Sequence, residues 1–160
     1  MKRVLYLPFL IFILTGCQFS DETLPKKMPD DFAFSLKYGV ALKNELNTYD
    51  HTYIKDLISN GTAETELTFT EEELLQTYDL FKDSNLFELS KAIGPLCKEP
   101  YDKYELKMTV NEQEHHLSWN TSCHAEELLE WEKVMKELHK EIIHKKPEYQ
   151  QLPEASGGYL

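Results

Sequence analysis

The chain contains 160 residues, of which 41% are hydrophobic, and its 17 basic and 28 acidic residues give a net charge of -11. This length suffices for one domain with a core of its own but not comfortably for two. Because nucleic-acid affinity comes largely from Lys and Arg contacts to phosphates, the acidic balance argues against a nucleic-acid partner. It also disfavours a position flat on anionic lipid.

Residues 1–16 have the pattern of a signal peptide. Lys2 and Arg3 give a positive start, and Val4–Leu14 is apolar at all but two positions. A helix that crosses the hydrocarbon core of a membrane needs about 20 apolar residues, and this run is shorter. Nothing downstream compensates, so we expect no transmembrane segment in the mature chain.

The apolar run ends in Leu14-Thr15-Gly16-Cys17, which resembles the lipobox of bacterial lipoproteins: an aliphatic residue, a small residue, Gly or Ala, then cysteine. The resemblance covers only the export signal. It implies that the Cys17 thiol receives a diacylglyceryl group, that signal peptidase II cuts between Gly16 and Cys17, and that the freed amine can be acylated. An ordinary secretory peptide that ends by chance in cysteine is the alternative.

Lipidation would decide where this protein resides. Two or three acyl chains hold a protein firmly to a membrane, at about 0.8 kcal/mol per buried CH₂. We therefore expect a protein attached through covalent lipid to the extracytoplasmic face of the cell membrane, or to the outer membrane if the host is Gram-negative. Loss of residues 1–16 removes two basic residues and no acidic one, so the net charge falls from -11 to -13.

The mature chain divides into three parts by composition. Residues 17–30 hold the cysteine and then a polar segment with two prolines, which is expected to be a flexible tether. Residues 31–146 are expected to form a single domain. The tail, residues 147–160, contains Pro147, Pro153 and Gly157-Gly158 but also four apolar or amphipathic residues: Tyr149, Leu152, Tyr159 and Leu160. A frayed terminus is one interpretation, but we favour a tail that folds back onto the domain.

Strands are predicted first in the domain. From Phe32 to Leu46 the apolar residues fall on even positions, the period-two pattern of an extended chain with one buried face. Gly39 is expected to mark a bend or a bulge in this run. A second extended segment spans His51–Ile58, and Asn60-Gly61 is typical of a hairpin turn. The returning strand is expected over Ala63–Phe69.

A helix follows the first hairpin. Thr70–Glu73 matches a capping box, in which the Thr hydroxyl and the third-position Glu satisfy free backbone N–H groups at a helix start. Apolar residues then recur at helical spacing: Leu74, Tyr78 and Phe81. The helix is predicted to end near Asp83, and residues 84–100 are expected to be irregular.

A second hairpin and a second helix complete the domain. A two-residue turn at Asn111-Glu112 pairs Met108 with His115 and Leu106 with Leu117, which keeps both apolar sets on one face. The helix is expected over about His124–His144, with a buried stripe of five residues: Leu128, Trp131, Met135, Leu138 and Ile142. The order of strands, helix, hairpin and helix predicts an α+β fold, an antiparallel sheet of about five to six strands with two helices packed on one face.

With Cys17 assigned to lipid, Cys97 and Cys123 remain as a pair. Outside the cytosol, two cysteines in a small domain indicate a disulfide, and these two flank the open end of the second hairpin. The predicted register sets Cys123 opposite Pro100, so residues 95–100 must fold back to close the bond. Such a bond contributes about 3.6 kcal/mol in the chain-entropy model. Two separately buried thiols are the alternative.

The histidines do not predict a metal site. His115 and His116 are adjacent on a strand and point to opposite faces, so we expect a hydrogen-bonded core residue and a surface residue. His124, His139 and His144 lie on the predicted last helix at spacings of 15 and 5, which do not place neighbours on one face. The sequence therefore predicts no metal and no cofactor.

The sequence contains no recognised catalytic motif. Its clustered carboxylates, at Glu71–Glu73 and at Glu126, Glu127 and Glu130, lie near helix starts, where acidic residues complement the helix dipole. Two functions remain open. The first is a non-catalytic module that binds a protein or cell-envelope partner, and the second is a small extracytoplasmic hydrolase with a carboxylate or histidine site. Convergent side chains with perturbed pKa values in a cleft would favour the hydrolase.

Overall fold

The computed structural model describes residues 23–89, 99–123 and 126–159. Its strands are β1 (Ala33–Gly39), β2 (Asn44–Asn47), β3 (Thr52–Asp56), β4 (Thr62–Glu66), β5 (Lys103–Val110) and β6 (Gln113–Asn120). Its α-helices are α1 (Glu71–Asp83), α2 (Leu86–Leu89), α3 (Glu126–Glu137) and α4 (Pro147–Gln150). The strands form one antiparallel sheet in the order β4-β3-β2-β1-β5-β6. The predicted α+β class is confirmed.

The first apolar run forms two strands instead of one bent strand. Gly39 ends β1 with a φ of +98°, a conformation that favours glycine, and a Cβ there would lie 2.9 Å from the Asn44 amide nitrogen. β2 then returns with Leu46 opposite Leu36. This register pairs even positions with even positions. The period-two pattern therefore continued through the turn and concealed it.

Both predicted hairpins are present. In the second, Asn111 and Glu112 have φ of 51° and 63°, as a two-residue turn between twisted strands requires. Met108 lies opposite His115 and Leu106 opposite Leu117, as predicted. In the first hairpin, Gly61 adopts a φ of +78°, and β4 ends at Glu66, before the expected Phe69.

The core lies between one face of the sheet and the helices. α1 begins with the predicted capping box, with Thr70 and Glu73 satisfying each other's backbone N–H groups. It packs on β1, with 5.1 Å between the ring centroids of Phe81 and Phe34, and it contacts α3 through Phe81 and Trp131 at 5.8 Å. All five residues of the stripe predicted for the last helix are buried, three on α3 and two on the turn that follows it: Leu128, Trp131, Met135, Leu138 and Ile142. The short helix α2 was not predicted, because four residues carry no helical period.

The last helix changes its winding near its end. After α3 the chain forms a π-helical turn (Leu138–Ile142) and a 3-10 turn (Ile143–Lys145) in place of the regular helix predicted to His144. α4 begins with Pro147 at its first position, where the missing N–H carries no cost. Further along the tail, Ser156 makes a parallel backbone bridge to Ile58, after β3.

The chain joins the domain before residue 31, so the predicted tether over residues 17–30 is too long. Leu24 is 9% exposed, and the carbonyl of Pro25 accepts a hydrogen bond of 2.7 Å from the Tyr78 hydroxyl. The carboxylate of Asp31 then accepts from the backbone N–H groups of Asn111 and Glu112. Burial of Leu24 stabilises the packed conformation of a segment whose polar composition had indicated a free chain.

Candidate functional site

The face of the sheet opposite the helices carries a polar groove of about 650 Å³. Its floor is formed by side chains at odd positions of β1, β2 and β5 and at even positions of β6, since the register pairs odd with even across the second hairpin. These floor residues are Ser35, Lys37, Glu45, Asn47, Glu105, Lys107, His116 and Ser118. Tyr49 and Asp50, from the turn after β2, form one wall. We call this set the open-face groove.

Glu45 is a carboxylate of the open-face groove that is fixed by three side-chain contacts. One of its oxygens accepts from the Ser35 hydroxyl at 2.9 Å and from the Asn47 side-chain amide at 3.2 Å. Its other oxygen lies 3.8 Å from the Lys37 ammonium. Only 19% of the Glu45 side chain is exposed, whereas Lys37 is 47% exposed. Glu45 is thus held in place while Lys37 stays accessible.

Tyr49 forms a rigid aromatic wall of the groove. Its hydroxyl donates to the carbonyl of Ala33 at 3.1 Å and lies 2.9 Å from the Thr109 hydroxyl. The Lys107 ammonium lies 5.3 Å from the centre of the Tyr49 ring, within cation–π range. Lys107 also bonds Glu114 at 2.8 Å. This ion pair raises the pKa of Lys107 and lowers the pKa of Glu114.

The two histidines of β6 lie on opposite sides of the sheet, as predicted. His116 is on the open face with 68% of its side chain exposed. His115 is half-buried, and its ring packs against Phe87 with 5.3 Å between centroids. We expected a hydrogen bond to His115. The contact that the structure shows is with an aromatic ring of α2, a helix that the sequence pattern did not predict.

A second cluster of functional side chains lies on the helix side of the sheet. We call it the tyrosine–histidine cluster, and it consists of Tyr38, Tyr53, His139, His144 and Tyr149. Ring contacts join these residues in a closed cycle, with centroids 5.4 Å apart for Tyr38 and His139, 5.3 Å for His139 and His144, 4.9 Å for His144 and Tyr149, and 5.3 Å for Tyr149 and Tyr53. The hydroxyls of Tyr53 and Tyr38 close the cycle at 2.6 Å.

The contact between His139 and His144 corrects the prediction that these two residues are not neighbours. That prediction assumed a regular α-helix, in which residues five apart point in different directions. The π-helical turn between Leu138 and Ile142 instead brings positions i and i+5 together. The sequence carried no visible signal for this change of winding.

Burial governs the electrostatics of the tyrosine–histidine cluster. It raises the pKa of both Tyr38 and Tyr53 above the usual range. It lowers the pKa of His139 to about 4, and the neighbouring His144 contributes in the same direction. At neutral pH these three side chains are therefore uncharged. Lys55 lies 5.0 Å from the centre of the Tyr149 ring and 3.7 Å from the Glu154 carboxylate.

The predicted lipidation and disulfide residues lie mostly beyond what the structure describes. Gly16, Cys17 and Cys97 are outside the described residues, as is His124. Cys123 is half-buried just after β6, where Thr121 still donates to Asp102 in the predicted register. The bond between Cys97 and Cys123 remains a prediction, which mass spectrometry without reduction would check by finding the two peptides joined.

The described residues contain no group of three or more His, Cys, Asp or Glu side chains that could hold a metal ion. No helix among them has the length and apolar character needed to cross a membrane. No protein-family model matches the chain, and no curated protein matches it significantly. The observations that bear on function therefore come from the open-face groove and the tyrosine–histidine cluster.

Proposed function

We propose that this protein is a lipid-anchored extracytoplasmic lipoprotein whose domain binds a polar partner of the cell envelope in the open-face groove. The observation that carries the binding proposal is the groove itself. It presents Lys37 and Lys107 beside Glu45 and Glu105, with an aromatic wall at Tyr49. Such a surface suits a ligand that bears both an amine and a carboxylate, for example a peptide.

The anchor proposal rests on the lipobox resemblance, and the fold limits the length of the tether. Because Leu24 is buried in the domain, at most six residues, 18–23, separate the lipidated cysteine from the packed chain. Fully extended at about 3.3 Å per residue, they reach roughly 20 Å. The distance from the lipid headgroups to the groove would therefore not exceed the tether length of about 20 Å plus the width of the domain. This short distance suits a partner at the membrane surface.

The groove supports binding better than hydrolysis. Among the groove residues, the pKa of Lys107 is shifted, and this shift follows from its surface ion pair with Glu114, which lies outside the groove. A hydrolase needs a group whose pKa is moved toward the working pH beside a substrate position. The strongly shifted His139 lies in the other cluster, on the helix side of the sheet.

The anchor is tested by the Cys17→Ala variant of the full chain. We expect this variant to lose incorporation of labelled fatty acid completely, and to be released or left as an uncut precursor, because the thiol is the acceptor of the lipid. Ser122→Ala serves as a control outside the export signal. Labelled fatty acid on Cys17→Ala at the level of the unmodified chain would refute the anchor.

The groove is tested by a photocrosslinking amino acid at Ser118 in the native membrane. A reproducible adduct of one defined mass is expected there, and none from the same group at Leu129, which is 53% exposed on α3. The charge reversals Lys37→Glu and Lys107→Glu should then remove the adduct while leaving the thermal midpoint within a few degrees. Equal adducts at both positions, or insensitivity to charge reversal, would reject the groove as the binding site.

A further inference from the structure

The tyrosine–histidine cluster connects the end of the long helix to the C-terminal segment. His139 packs on His144, and the ring of His144 stacks on Tyr149 of α4 at an interplanar angle of 28°. The side-chain amide of Gln150 also donates to the carbonyl of His144 at 2.9 Å. Tyr149 completes the contact to the sheet through Tyr53. The two imidazole rings are therefore one of the contacts that hold α4 to the domain, beside the bonds of Lys146 to Glu73 and to the carbonyl of Thr68.

The surroundings of the His139 ring do not accommodate positive charge. The titratable groups in contact with the two imidazole rings are Tyr38 from β1 and Tyr149 from α4, and beyond these lie Tyr53 and Lys55 from β3 and Glu154 from the tail. The carboxylate in this set, on Glu154, is 97% exposed and already lies 3.7 Å from Lys55. A protonated His139 would therefore lie in a partly buried position without a buried counter-charge, with the ring of His144 5.3 Å away.

We infer that the tyrosine–histidine cluster is an acid-sensitive latch, in which protonation of His139 unstacks α4 and releases residues 147–152 from the sheet. Release gives the imidazolium ring of His139 access to water and exposes the rings of Tyr53 and Tyr149, whereas His144 is exposed already in the docked state. The contacts alone carry this inference, which is independent of the lipid anchor and of the open-face groove. π-helical turns often occur where a helix has a functional role, and this one creates the histidine pair.

The expected size of the effect follows from proton linkage. Burial holds the pKa of His139 at about 4 while α4 is docked, and an exposed histidine has a pKa of about 6.5. The released state therefore binds the proton more tightly than the docked state. Between pH 7 and pH 4 the ratio of docked to released tail should fall on the order of 100-fold.

The latch can be tested by NMR on the full chain in detergent micelles, titrated from pH 7 to pH 4. The amides of residues 147–152 report the tail, and the indole signals of Trp119 and Trp131 report the core, where both rings are buried. We expect the tail signals to move to a released position at a higher pH than any loss of the indole signals. A tail that stays docked at pH 4 around an intact core would overturn the latch.

Variants separate the latch from general acid unfolding. His139→Phe keeps an aromatic ring but cannot be protonated, so its tail should remain docked at pH 4. If that variant does not fold, His144→Phe should retain the stack on Tyr149 and move release to lower pH, because it removes the neighbour that opposes protonation of His139. His116→Gln, which alters an exposed histidine of the open face, should behave as the unmodified chain. Release at the same pH in all variants would overturn the role of the histidine pair.

Discussion

The two faces of the sheet treat ionisable groups in opposite ways. On the open face, Glu45 and Lys107 are held by hydrogen bonds and ion pairs that remain in contact with water. On the helix side, burial favours the neutral forms of Tyr38, Tyr53 and His139. Both arrangements are built from alternate residues of the same strands. The difference shows that strand register, more than composition, decides which polar groups can bind partners and which respond to pH.

This division also separates the two proposed activities. Charged side chains on the open face can exchange their weak ion pairs for contacts with a ligand, because such surface pairs contribute little to stability. The neutral groups of the tyrosine–histidine cluster instead contribute to the packing of α4. A proton there alters the fold, whereas a proton or ligand on the open face changes only the local charge.

The sharpest test of this comparison uses two neighbouring residues of β1. Leu36 is fully buried on the helix side, whereas Lys37 lies on the open face. Leu36→Ala should lower the free energy of unfolding by about 2–5 kcal/mol, since it leaves a cavity in the core. Lys37→Ala should change it by less than about 0.5 kcal/mol. Urea denaturation followed by Trp fluorescence measures both, and similar losses would contradict the assignment of the two faces.

Acid should destabilise the helix side through His139. Its pKa is about 4 in the folded chain and about 6.5 when unfolded, so the unfolded chain binds the proton first. The stabilisation is present above pH 6.5 and is lost as the pH falls toward 4, by about 3 kcal/mol. His139→Phe should remove this part of the pH dependence.

The measurement is the difference in free energy of unfolding between pH 7 and pH 4 for the unmodified chain and for His139→Phe. Carboxylates contribute equally to both proteins, so the difference between them isolates the histidine. His116→Gln is the matched control, because its ring is exposed on the open face. Parallel pH profiles for the unmodified chain and His139→Phe would show that His139 does not carry the effect.

The sequence predicted most of the fold because its strands and helices have clear periods and turn signals. The capping box at Thr70–Glu73, the register of β5 and β6, and the buried stripe of α3 were all recognisable from local residues. The turn after Gly39 was concealed because the register preserved the parity of the apolar positions. Apolar alternation does not reveal a turn when the alternation continues unchanged from one strand to the next.

The candidate sites were harder to predict than the fold. The open-face groove combines residues from four strands and a turn, so it becomes visible only once the strand order is known. One available signal was that two helices were predicted for one face of a sheet, which leaves the other face open. The tyrosine–histidine cluster depended on a π-helical turn at Leu138–Ile142. Its i to i+5 pairing could not be expected from regular helical spacing.

The C-terminal tail should stabilise the helix side. Tyr149 and Leu152 pack against the core, and Ser156 makes backbone hydrogen bonds with Ser59 and Leu57. Deletion of residues 147–160 should therefore cost on the order of 2–3 kcal/mol, roughly one or two buried side chains. Deletion of 153–160 alone, which leaves α4 in place, should cost less. Thermal denaturation measures both, and unchanged stability with loss of a partner would instead identify the tail as the binding element.

The smallest expected effect compares two tyrosine hydroxyls, one on each face. Tyr53→Phe leaves the buried Tyr38 hydroxyl without the partner that it has at 2.6 Å, and an unsatisfied buried group costs about 1–3 kcal/mol. Tyr49→Phe also removes two hydrogen bonds, to Ala33 and Thr109. Tyr49 is 36% exposed, so water can replace the lost contacts and the cost should stay below about 1 kcal/mol. Chemical denaturation at pH 7 compares the two variants, and a larger loss for Tyr49→Phe would mean that the open face is as rigidly organised as the core.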